Sequence, residues 1–214
     1  TLRGILHTPA QPKAGRPGVI LLHGWSGTRH GPHRMFVTMA RKLSDMGFYC
    51  LRFDFRGRGE SDGETQKATI ASMVADARRA IEFLSSEAPV EGVILLGICS
   101  AGKVAIGASD DPRVRGLSLW SAEAMGFLRG KTAKARKSID TIRTYLQKLT
   151  NLETWKKIVT GRVNTTMVRK AVLVDETSDK QERTRESAWL ERFRSFRGTV
   201  LFIYGSNDPE TATA

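Results

Sequence analysis

The chain predicts an α/β protein: a mainly parallel sheet with helices on both faces. Three observations carry that expectation. First, short apolar runs bounded by turn residues recur at Val19–Leu22, Phe48–Phe53, Val93–Leu96, Leu117–Trp120 and Val200–Tyr204. Each is rich in aliphatic or aromatic residues, as strands buried on both faces are. Leu2–His7 adds a flanking strand. Second, helical spacing fills the gaps between them. Met35, Met39, Leu43 and Met46 form one stripe, and Met73, Ala77, Ala80, Ile81 and Leu84 another. Strand and helix in alternation argue for parallel pairing. Third, the alternation stops after Trp120. From Phe127 to Phe193 the pattern shows no convincing strand but several amphipathic helices, with Ile139, Ile142, Leu146 and Leu149 on one stripe and Leu152, Trp155 and Val159 opening the next before Gly161. The expected organisation is a core formed by residues 1–123 and 195–214, interrupted by a helical insertion over 124–194 that serves as a lid above the carboxyl ends of the strands.

At 214 residues with 40% hydrophobic content, the chain is long enough to bury one substantial core. Apolar runs never approach the roughly 18 residues a membrane helix needs, so no transmembrane segment is expected. Two cysteines, Cys50 and Cys99, do not make a disulfide scaffold or a zinc site. Together with the lack of a signal-like start, they suggest a cytoplasmic setting. The formal charge of +12 is concentrated: between Phe127 and Val172, twelve Lys or Arg face only Asp140 and Glu153. Such a run is ordinarily a solvated helical face, but it also suits an anionic substrate. Nucleic acid is not expected, because no binding motif accompanies the charge, and no dinucleotide, P-loop or other cofactor motif is apparent.

The residues that point to chemistry lie at strand ends. Gly92-Val93-Ile94-Leu95-Leu96 runs into Gly97-Ile98-Cys99-Ser100-Ala101-Gly102. Small residues at Gly97 and Ala101 allow a tight strand-to-helix bend that lifts Cys99 onto the N-terminus of the following helix. Ser100 is the competing reactive side chain, but shifting the register by one would place β-branched Ile98 in the crowded turn. Cys50, inside a strand pattern, is expected to be a buried residue. Upstream, His23-Gly24-Trp25-Ser26-Gly27-Thr28 ends a strand with glycines that let backbone N–H groups point outward. Arg52 to Ser61 form a Gly-rich turn held by Asp54 and Arg56. Downstream, Tyr204-Gly205-Ser206-Asn207-Asp208-Pro209 follows the last apolar run.

These four motifs, in this order, resemble the α/β-hydrolase superfamily, and most closely its esterase and serine aminopeptidase-like branch with a helical lid. The resemblance spans Leu2 to Pro209. It implies an acyl hydrolase acting on small ester or thioester substrates. Cys99 would be the nucleophile, a minority choice also seen in dienelactone hydrolases and some exosortase-associated hydrolases. The N–H groups of Trp25 and Ser100 would form the oxyanion hole, and Asp208 would be the acid. His23, Gly24 and Trp120 would line the substrate pocket. Asp208 could instead serve only as a turn residue, with Glu123 the reserve acid. The order of such triads puts a histidine after the acid, whereas His7, His23, His30 and His33 all precede Cys99. The sequence therefore reads as lacking the final strand and helix, with the histidine beyond Ala214. His30 and His33 are expected to cap the next helix. Acyl transfer and a catalytically silent binding protein are the alternative functions.

Overall fold

The computed structural model describes residues 1–123, 176–206 and 208. Within them lie a six-stranded sheet and four α-helices: β1 (Arg3–His7), β2 (Gly18–Leu22), α1 (Met35–Asp45), β3 (Cys50–Asp54), α2 (Ile70–Glu87), β4 (Val93–Ile98), α3 (Ala101–Gly107), β5 (Val114–Trp120), α4 (Glu176–Arg194) and β6 (Thr199–Ile203). The sheet order is β1-β3-β2-β4-β5-β6. β1 runs antiparallel to β3, and every other pair is parallel. The chain divides into two units, Thr1–Ala124 with Arg185–Ala214, and Met125–Thr184; the first carries the sheet. The amphipathic stripes expected between Ile139 and Val159 lie outside the described residues.

Alternation of side chains places two cores on the sheet. Ile20, Leu22, Leu51, Phe53, Leu95 and Leu117 face α2 and α3, where Met73, Ala77, Ile81, Leu84, Val104 and Ala105 close over them. Val19, Leu21, Cys50 and Leu96 face α1. β2 is buried at every position, which is why it reads as an unbroken apolar run. α2 begins with a capping box in which Thr69 and Ser72 satisfy each other's backbone N–H groups.

Two expectations about α1 are corrected. Its fully buried centre is Phe36 and Ala40, with Val37 beside them. Met35, Met39 and Leu43 pack at the margins, and Met46 stands 55% exposed past the end. The expected stripe is offset by one residue because long, flexible methionine side chains reach the core from its flanks. The histidine caps are also absent: neither α1 nor the short 3-10 turn Pro32–Arg34 before it has a side-chain cap bond. Gly31 and Pro32 shape the entry instead, and His30 Nδ1 pairs with Thr28 Oγ1 at 3.3 Å.

Helix α4 joins the core from Arg185 onward. Glu186, Trp189 and Phe193 recur on one face; Glu186 and Trp189 are buried, and Phe193 packs against the larger core. Lys103 of α3 donates to Glu186 Oε1 at 2.7 Å, and both side chains are at least nine-tenths buried.

Candidate functional site

Chain order leaves β2 to form β3 on one side and returns to form β4 on the other. The crevice above the carboxyl ends of β2 and β4 is therefore the topological switch point, where open parallel sheets hold ligands. Trp25 follows β2 and Cys99 follows β4, so both stand at that crevice.

Cys99 adopts φ +55°, the left-handed region that a side chain with a Cβ enters only under strain. Such strain costs about 1–3 kcal/mol and persists only where the surroundings enforce it. Here the enforcement is visible. The Cys99 N–H donates to Trp120 O at 2.9 Å, and the Gly102 N–H donates to Cys99 O at 2.9 Å. A Cβ on Gly97 would collide with the backbone of Ala101, and one on Gly102 with Ala122. The bend therefore needs small residues at both places. It leaves the Cys99 thiol exposed, whereas Ser100 beside it is 4% exposed. Sγ donates to Glu123 Oε1 at 3.4 Å. Cys50, by contrast, is fully buried in β3, and burial pushes its thiol up to about 12 despite the nearby Arg52 charge.

The segment after β2 is held from beneath. His23 is fully buried. Its Nδ1 bonds Gly24 O at 2.8 Å and its Nε2 accepts the Phe55 N–H at 3.3 Å, which defines a neutral ring protonated on Nδ1. Burial lowers its pKa, outweighing the Gly24 carbonyl and the Asp54 charge. His23 thus positions the loop from inside. Gly24 lies so close to the bend that a Cβ there would sit 3.4 Å from Cys99 Cβ and 3.8 Å from Ser100 Oγ. The Trp25 N–H donates to Ser100 Oγ at 2.7 Å. Trp25 O accepts from Arg58 Nε at 2.6 Å, and the Arg58 guanidinium stacks over the half-exposed Trp25 ring at 4.8 Å.

The Gly-rich turn that carries Arg58 rests on Asp54. This fully buried carboxylate accepts the Arg29 N–H at 2.6 Å, the Glu60 N–H at 3.1 Å and the Arg29 guanidinium. Burial raises its pKa, but those donors together hold it below the ordinary carboxylate value. Arg56 instead ties the turn to α2, through Asp76.

The remaining expected residues take separate places. Trp120 is half-buried against the α1-side core. Its indole N–H donates to Ser118 Oγ at 2.7 Å, and it meets Cys99 through its carbonyl rather than its ring. Asp208 follows β6 in a turn closed by its own N–H to Gly205 O at 3.0 Å. That loop is anchored beside the end of β5 by the Tyr204 hydroxyl, which donates to Ala122 O at 3.0 Å. Sequence reasoning overlooked the Ser100 side-chain bond and the Arg58 clamp. Both link residues far apart in the chain, and only the polar character of Ser100 and Arg58 hinted at them. Among the described residues, no cluster of three His, Cys, Asp or Glu side chains suits a metal ion, and no helix is long and apolar enough to cross a membrane.

A parallel sheet with one antiparallel strand, and a strained residue hoisted at its switch point, is the architecture of an α/β hydrolase. The family model described as serine aminopeptidase, S33, matches residues 14–209. The chain belongs to that family. Among curated proteins, it is 37% identical over 60 residues to a lysophosphatidylserine lipase, ABHD12, of Danio rerio, a match covering 28% of this chain and 15% of that protein. It is 32% identical over 118 residues to the AB hydrolase superfamily protein YisY of Bacillus subtilis (strain 168), covering 54% of this chain and 41% of that one. The chain thus spans less than half the length of either relative. Among solved structures, the α/β hydrolase GrgF from Penicillium sp. sh18 superposes with a TM-score of 0.56 at 16% identity, covering 98% of this chain and 87% of that one. At that identity the likeness concerns the fold.

Proposed function

We propose that the protein is an acyl hydrolase that cleaves carboxylic esters or thioesters through Cys99. The observation that carries this reading is the left-handed Cys99, exposed at the switch point with Gly24 packed against it. In the proposed reaction Sγ attacks the carbonyl carbon as the thiol proton passes to a general base. The carbonyl π pair becomes an oxyanion, held by the backbone N–H of Ser100 at the helix N-terminus. Collapse expels the alkoxide or thiolate, which takes up the proton, and water then cleaves the acyl-cysteine. By resemblance, the base is a histidine oriented by Asp208. Glu123, already bonded to the thiol, is the carboxylate placed to orient Sγ. The excess of basic residues between Phe127 and Val172, and the lysophosphatidylserine lipase relatives, favour an ester that carries negative charge.

The test is hydrolysis of short p-nitrophenyl esters by the parent protein, Cys99→Ala and Cys99→Ser. Cys99→Ala is expected to lose at least about 100-fold in kcat/KM, in line with loss of a covalent nucleophile. Equal rates in parent and Cys99→Ala would remove Cys99 from the chemistry.

A further inference from the structure

We propose that the Ser100 hydroxyl, and not only its backbone N–H, is a direct oxyanion donor, with the Trp25 amide behind it as the group that orients it. The inference rests on the acyl-hydrolase reading above and adds a catalytic residue to it.

Three observations point there. The first is that the Trp25 N–H, expected to address the substrate oxygen, is already directed at Ser100 Oγ at 2.7 Å. The second is that Ser100 is 96% withdrawn from solvent, with 4% exposure, beside a thiol that is exposed. A buried hydroxyl normally uses both its acceptor and its donor capacity. Its acceptor side is taken by Trp25, and among the described residues no protein group accepts its O–H. The third is that a Cβ added to Gly24 would lie 3.4 Å from Cys99 Cβ and 3.8 Å from Ser100 Oγ, so both border the space its missing side chain leaves. The thiol and the hydroxyl therefore share one small neighbour, which places Oγ beside the carbon that bears the nucleophile.

Chemically, the arrangement is a relay without proton transfer. The Trp25 amide donates to Oγ and polarises the hydroxyl, and the O–H donates to the negative oxygen that forms as Sγ adds to the carbonyl. A hydroxyl that accepts one hydrogen bond is a stronger donor in the next. The accepted bond occupies one lone pair and restricts where the O–H can point, so less reorganisation accompanies charge development. Arg58 secures the other side of the same peptide through Trp25 O, which keeps the orienting amide in place.

The experiment compares the parent, Ser100→Ala and Cys99→Ala with p-nitrophenyl acetate, alongside inhibition by an aliphatic trifluoromethyl ketone, which forms a tetrahedral thiohemiketal oxyanion on a cysteine. Ser100→Ala is expected to lower kcat about 100-fold with KM within about threefold, and to weaken the ketone by a similar factor. Alkylation of Cys99 by iodoacetamide, which forms no oxyanion, should stay within about twofold of the parent. A kcat equal to or above the parent's would show that the hydroxyl only occupies the Trp25 amide, and would overturn the proposal. So would an alkylation rate that falls with kcat, because the substitution would then have deformed the bend. If Cys99→Ala retains parental turnover, or the parent shows none, the acyl-hydrolase reading fails and takes this inference with it. If Cys99→Ala is inactive and Ser100→Ala is normal, this inference alone fails.

Discussion

Replacing Asp54 with Asn tests the support beneath the Gly-rich turn while leaving its shape almost unchanged. The carboxylate is fully buried, and its Arg29 partner has a side chain only 10% exposed. Asn retains one oxygen for the Arg29 or Glu60 N–H but turns its NH2 toward the other donors. Arg29 would then keep only Glu60, whose side chain is 71% exposed and well screened. Losing one partner of a buried pair costs about 3–5 kcal/mol. The residual Glu60 contact places the expected loss at about 3 kcal/mol, or roughly 6–12 °C in Tm for a chain of this length. Urea unfolding followed by tryptophan fluorescence measures it. The pH dependence gives an independent check. The folded pKa of Asp54 is depressed, so its contribution is fully present above the unfolded value of about 3.9 and is lost as pH falls through the folded value. The gap between parent and Asp54→Asn should therefore hold at neutral pH and begin to narrow only below about pH 4. A loss under about 1 kcal/mol, or a gap that closes already by pH 6, would refute the reasoning.

Two further predictions concern the bend and its thiol. Native protein treated with iodoacetamide near pH 8 should take up one equivalent, at the exposed Cys99. Cys50, buried with its thiol pushed up to about 12, should react only after unfolding in guanidinium; peptide mapping that finds Cys50 modified first would contradict the burial argument. Gly97→Ala places a methyl group against the Ala101 backbone, where no flexible side chain can yield. It should cost about 2 kcal/mol or more by overpacking, and a thermal melt within about 2 °C of the parent would count against the close approach.

The sheet was legible because its strands are written locally. β2 and β4 are short aliphatic runs with a glycine within two residues of their ends, and the parallel order follows from alternation with helices. The bend at Gly97–Gly102 was legible for the same reason, since the clash that demands Gly97 lies with Ala101 four residues on. What stayed hidden depends on distance along the chain. The Trp25–Ser100 bond joins residues 75 apart, and Arg58 reaches Trp25 across 33; no periodicity signals either. The buried Lys103–Glu186 pair spans 83 residues, and each charge is buried only because the other meets it, which no local pattern signals. The helix-capping role expected for His30 and His33 failed because Gly31 and Pro32 lie between them and start the turn by backbone geometry alone.

The left-handed backbone at residue 99 does not depend on which atom ends the side chain. Sulfur and oxygen on the same one-carbon stem place the same demands on φ, so a thiol and an alcohol can trade places there with the scaffold indifferent to the exchange. Reactivity and foldability are thereby uncoupled at this one position, and a lineage can alter its chemistry by a single codon without first rebuilding the bend that presents it.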